Sequence, residues 1–248
     1  LLARVVGVVT VAPLFGGQGV PVLTRVGFAA LLAAVLLGPV QHMLGELPWL
    51  WGDPVGYALL MGGEFLIGAF LGFIVLLMLV AVQIAGQLLD LPMGFGMVNV
   101  LDPQTGTYVP VMGQFKFALA MLVFFGVNAH HWLLRALADS YRFLPVGWSV
   151  MDEMRARLVV QAMSQAFVLG VRIALPVIAA SFLTDVALGI VSRAVPQINV
   201  FITGYPVKIL AGMAVIILVI PAYVVLLSWV FGDGGDMVGL LWRFLAGR

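Results

Sequence analysis

The sequence predicts an all-α protein of long, proline- and glycine-broken apolar helices and helical hairpins, embedded in a membrane or assembled from one. Three observations carry this. The 248 residues are 63% hydrophobic and 9% charged, whereas a soluble domain carries about 25% charged residues. Mean hydropathy is +1.15. Phe65 to Leu89 and Phe117 to Leu134 each run without an Asp, Glu, Lys or Arg, and Gly or Pro marks every segment between apolar stretches.

Taken in order, the apolar runs predict helices over about 1–12, 22–38, 55–90, 108–139, 152–194, 198–231 and 236–246. Breaks are expected near Pro176 and residue 183, with a bend at Pro221. "PLFGGQGVP", "GELPWLWGDP", "RFLPVGWSVMD", "AVPQ" and "FGDGGD" read as loops. Leu1 opens a stretch that reads as the back half of a helix, so the start reads as trimmed. The longest polar-enriched stretch, Arg135 to Arg157, is too short to fold alone.

Two features resist a plain up-and-down bundle. Residues 55–90 as one helix would reach about 54 Å, against a hydrocarbon core of about 30 Å. The positive-inside rule also gives no consistent orientation. The 135–157 loop is rich in arginine, yet the loop two crossings earlier, 39–54, has no Lys or Arg.

The residues between the two long runs are unusual. "GFGMVNVLDPQTG", Gly94 to Gly106, is a glycine-rich, mostly apolar turn where charged residues are the norm. The helix leading into it carries a small and polar stripe. At 100° per residue, Gly68, Gly72, Gln83, Gly86, Gln87 and Asp90 fall within an arc of roughly 100°, with Glu64 beside it. Small residues admit a second backbone, and polar groups at this depth need protein or water as partners. Packing within the chain, a seam between subunits and a water-lined cavity all satisfy that need. A second such face holds Ser181, Asp185, Gly189 and Ser192, with Arg193 just outside it and Arg172 upstream. A buried charge neutralised by a neighbouring subunit accounts for it better than a proton relay, because no chain of acids and histidines follows.

Several activities drop out. A net charge of +1 provides no basic surface for nucleic acid. The absence of cysteine excludes disulfides, thiol catalysis and Cys-based metal sites. His130 and His131 are adjacent and point about 100° apart, so a capping or interfacial role suits them better than a shared metal. "DPQTGT" is a faint likeness of an ATPase phosphorylation loop, with an extra residue and no lysine, and the soluble domains such chemistry needs are absent. "GFG" alone does not make an ion filter. No nucleotide loop, catalytic triad or zinc helix motif occurs. Neither an enzyme nor a cofactor is expected.

"RVVGVVTVAPLFGGQGVPVLTRVGFA", "AGQLLDLPMGFGMVNVLDPQTG", "NAHHWLLRAL" and "RIALPVIAASFLTDVALGIVSRAVPQINVFITGYPVKI" together resemble the FliR family of flagellar biosynthetic membrane proteins, whose injectisome counterpart is SctT. The resemblance covers essentially the whole chain, with Pro13, Pro21, Gly94, Asp102, Pro103, Pro176, Arg193, Pro196, Gln197, Pro206 and Lys208 in register.

It implies a single membrane domain similar to a fusion of a FliP-like part, about 1–180, and a FliQ-like hairpin, about 181–248. It implies a helical export gate, built with several FliP-like and FliQ-like subunits beside FlhA-like and FlhB-like components. The gate would pass unfolded flagellar or injectisome substrates across the bacterial inner membrane. By the same resemblance, Gly94, Phe95, Gly96, Met97, Val98, Asn99, Asp102, Pro103 and Gly106 belong to a plug loop that closes the pore. Glu64, Gly68, Gly72, Gln83, Gly86, Gln87, Asp90 and Asp185 would lie at subunit interfaces. Arg193, Gln197, Asn199 and Lys208 would stand near the cytoplasmic entrance. The residues suit a plug: glycines bend where side chains would clash, Phe95, Met97 and Val98 fill a constriction without wetting it, and Asp102–Pro103 fixes the return turn. The reading from another class is a stand-alone small-solute transporter or channel, which should show a repeated half and a midplane site; no internal repeat occurs.

Overall fold

The computed structural model describes residues 1–16, 20–43, 54–95, 110–147, 153–197 and 200–247. The elements are α1 (Leu2–Val11), α2 (Pro13–Gly16), α3 (Val22–Val40), a 3-10 turn (Gln41–Met43), α4 (Pro54–Asp90), α5 (Val111–Gly126), α6 (Ala129–Phe143), α7 (Glu153–Ala194), α8 (Val200–Phe231) and α9 (Asp236–Ala246). No strand occurs among the described residues. The all-α prediction holds. α3, α4, α7 and the segment Thr203–Ala246 are each long and apolar enough to cross a membrane. The broken pair α5 and α6 adds a fifth if it counts as one span.

Two expectations need correction. The helix expected over 108–139 is two helices, because α5 stops at Gly126 and Asn128 adopts a left-handed backbone, φ 56°, before α6 begins. Asn tolerates that conformation better than most residues, so Gly126–Asn128 is a natural break. The break expected near Pro176 is absent: α7 is one helix of 42 residues. Pro176 removes only its own bond to the Arg172 carbonyl, and buried Ile173, Ala174 and Val177 hold the turn on either side. α8 likewise continues through Pro206 and Pro221.

The chain forms two compact units. Unit one comprises 1–78, 125–164 and 229–248; unit two comprises 79–124 and 165–228. In unit one, α1 packs on α3, α3 on α6, and α6 on α9. α6 and α9 are the amphipathic helices. α6 buries Leu133, Leu137 and Tyr141 while Arg135 and Arg142 stay exposed. α9 buries Leu240, Leu241 and Phe244, opens with Asp236 in its first turn and closes on Gly247 at φ 64°. Buried Arg155 donates from Nε to the Phe244 carbonyl at 3.2 Å, so a cation from α7 satisfies the last turn of α9. In unit two the core is Val82, Ala85 and Leu89 of α4, Ala120 and Phe124 of α5, Leu169 and Val177 of α7, and Leu227 of α8.

Candidate functional site

The stripe on α4 is divided between the two units. In unit one, Glu64, Gly68 and Gly72 recur every fourth residue and face α1. A β-carbon on Gly68 would collide with the Arg4 carbonyl, and one on Gly72 would lie 3.0 Å from the Val8 carbonyl oxygen. This close approach brings Arg4, 0% exposed, onto Glu64, 3% exposed. The guanidinium donates to both Glu64 oxygens at 2.9 Å. It also donates to Ser140 Oγ at 2.8 Å and the Leu144 carbonyl at 3.0 Å. The Tyr141 ring covers it 3.9 Å from the ring centroid. A buried ion pair needs this kind of bidentate geometry, with its spare donors satisfied, to offset desolvation. Arg4 carried no functional weight in the sequence; a lone base in one apolar helix and a lone acid in another were the available signal.

In unit two the stripe builds the root of the glycine-rich loop. A β-carbon on Gly86 would overlap the Gly113 backbone of α5. Gln83 contributes its carbonyl, and Gln87 its Cγ, to the surroundings of Gly113. Buried Asp90 then accepts from the Met112 amide at 2.9 Å. Met112 is the second residue of α5, and its amide is one of those a helix start leaves unpaired, so Asp90 caps α5 from across the loop. The two stems are therefore tied together at the point where the loop leaves and returns.

The first loop residues are docked on α8. Buried Met93 packs against Gly212, and Gly94, at φ 91°, leaves room for the Tyr205 ring, which a β-carbon would approach to 2.8 Å. A side chain there would be both strained and obstructed. Phe95 is half-buried. Gly96, Met97, Val98, Asn99, Asp102, Pro103 and Gly106 lie outside the described residues, as does Asn199.

Tyr205 also connects to the second polar face. The Lys208 ammonium stands 5.9 Å from its ring centroid and pairs with Asp185 across the two helices. Asp185 thus finds its counter-charge within its own chain. Ser181 on the same face is buried, whereas Arg193 and Gln197, at the turn between α7 and α8, are exposed.

The backbone that Gly86 admits belongs to this chain, so the effect of enlarging it is a folding effect. Gly86→Leu should lower the thermal midpoint of the detergent-solubilised full-length protein strongly, since overpacking costs about 1–3 kcal/mol even where backbone is not struck. Gly189→Leu, where a β-carbon meets nothing within 4 Å, should leave it unchanged. Equal midpoints for the two variants would remove the close α4–α5 contact from the account.

These helices and paired polar stripes define an α-helical membrane protein with a tethered loop. The sequence matches the family described as Bacterial export proteins, family 1, over residues 1–233. It is 39% identical over 222 residues to flagellar biosynthetic protein FliR of Bacillus subtilis (strain 168), covering 88% of this chain and 84% of that one. It is 27% identical over 220 residues to flagellar biosynthetic protein FliR of Escherichia coli (strain K12), covering 89% and 82%. Yop proteins translocation protein T of Yersinia pestis is 28% identical over 223 residues, covering 89% and 83%. The chain belongs to the bacterial export proteins, family 1, the family that includes FliR.

Proposed function

We propose that the chain is a subunit of a type III protein export gate in the bacterial inner membrane. With FliP-like and FliQ-like subunits it forms the channel for unfolded flagellar or injectisome substrates, alongside FlhA-like and FlhB-like components, and it supplies the plug loop Gly94 to Gly106. Residues of about 1–180 act as the FliP-like part and about 181–248 as the FliQ-like hairpin, with Arg193, Gln197, Asn199 and Lys208 near the cytoplasmic entrance.

The observation that supports this reading best is the tether at the loop root. Asp90 and Met112 hold the two stems together at 2.9 Å, which suits a plug whose stems stay joined when the pore opens. Family membership and the names of the relatives, flagellar biosynthesis and Yop translocation, weigh against a stand-alone solute transporter.

Co-expression tests the reading. Tagged full-length protein should co-purify with FliP-like and FliQ-like subunits as one discrete assembly, and a strain lacking it should lose export. A discrete species that retains no such partner, with export intact in the deletion strain, refutes the proposal. Arg193→Glu should reduce export several-fold while the thermal midpoint of the isolated chain stays put, because Arg193 is exposed there. Unchanged export in that variant would take the α7–α8 turn out of the entrance.

A further inference from the structure

Unit two contains a cavity of about 190 Å³ among α5, α7 and α8. Its floor is Lys116, Ile173, Ile216 and Tyr223, all buried, and its mouth is edged by the exposed residues Phe115 and Arg172. Lys116 is 6% exposed, its ammonium is 5.4 Å from the Tyr223 ring centroid, and the Tyr223 hydroxyl donates to the Lys116 carbonyl at 3.3 Å. No carboxylate lines the cavity, and none among the described residues pairs with Lys116. Two cations therefore share an otherwise apolar recess with no anion supplied by the described chain. Burying a cation without a partner is costly, and a site of this composition calls for an anion.

We propose that this cavity binds the headgroup phosphate of an anionic membrane lipid. Lys116 and Arg172 hold the phosphate, and the apolar mouth takes the first carbons of the lipid's chains. Two features select a lipid over a free anion. The recess is walled by three apolar helices, so a hydrated ion would shed its water against hydrocarbon, whereas a lipid arrives with its tail already there. A lysine and an arginine flanking one recess between membrane helices is also the composition that anionic headgroups select.

The test uses purified full-length protein in a zwitterionic detergent, with native mass spectrometry counting retained phosphatidylglycerol or phosphatidylcholine. Wild type should retain phosphatidylglycerol with a preference of about tenfold. Lys116→Met should lose the preference, Lys116→Arg should keep it, and both should match wild type in helicity and elution volume. Equal retention of the two lipids overturns the proposal. Displacement of phosphatidylglycerol by inorganic phosphate at equal concentration would make this a free-anion site and overturn it too. If Lys116→Met leaves lipid retention unchanged but prevents association with other export subunits, the anion is a partner's carboxylate and the lipid assignment fails. None of these outcomes depends on whether the loop is a plug.

Discussion

Replacing Glu64 with alanine should leave the full-length protein unable to hold unit one together. Arg4 is fully buried and directs its hydrogen bonds to Glu64, Ser140 and Leu144, so removal of the carboxylate strands a cation with no water to receive it. Breaking one side of a buried pair costs about 3–5 kcal/mol, comparable to much of the about 5–15 kcal/mol by which a native protein is stable. The expected readouts are a sharp fall in the membrane-fraction yield and a thermal midpoint too low to measure in detergent. The double variant Arg4→Met with Glu64→Met should recover much of the loss, since apolar replacement of a buried pair is often neutral. Ser140 still donates to the Leu137 carbonyl at 2.6 Å, so its hydroxyl stays partnered, while Ser140 Oγ and the Leu144 carbonyl each lose the donor that Arg4 supplied and Tyr141 loses a cation. A Glu64→Ala protein with wild-type yield and midpoint would show that the pair contributes nothing to stability.

The legible part of the fold was local. Long apolar runs punctuated by Gly and Pro mark helices in any membrane chain, and α9 was bounded correctly because Asp236 and Gly247 are strong end signals. The stripe on α4 was visible as a face that a backbone could approach. Whose backbone approaches is a long-range fact: α1 meets Gly68 sixty-odd positions away in sequence, and α5 meets Gly86 from the far side of the loop. Asp185 shows the same limit, since its partner Lys208 lies beyond the α7–α8 turn. Pro176 misled because a proline that breaks a short helix can be carried by a long one whose flanking turns are buried. Arg155 gave no signal at all, because a side chain that reaches a distant helix end has no pattern of its own.

Shortening the loop should open a leak without undoing the protein. Deletion of Phe95 to Val100 leaves the tethered stems in place, since Gly86, Gly113, Asp90 and Met112 all lie outside the deleted segment. Because the stems already hold the ends together, reducing the closed segment from about 20 to about 14 residues changes its closure free energy by only about 0.3 kcal/mol. The thermal midpoint of the assembly should therefore barely move. Asp90→Ala is the contrasting variant, because it removes the tether itself and should cost about 1–2 kcal/mol. A plug seals through apolar contact. On the proposed plug reading, truncating Phe95, Met97 and Val98 together to Ala would remove apolar contacts worth roughly a few kcal/mol, enough to invert a gate whose two states differ by a similar amount. Planar-bilayer conductance of the purified assembly reads this directly: wild type should be tight, the loop deletion and the triple alanine variant leaky, and Asp90→Ala less stable to heat. A structural turn would reverse the pattern, with the deletion abolishing assembly and producing no current. An intact assembly that lacks Phe95 to Val100 and remains as tight as wild type would mean that the seal lies elsewhere in the chain or in its partners.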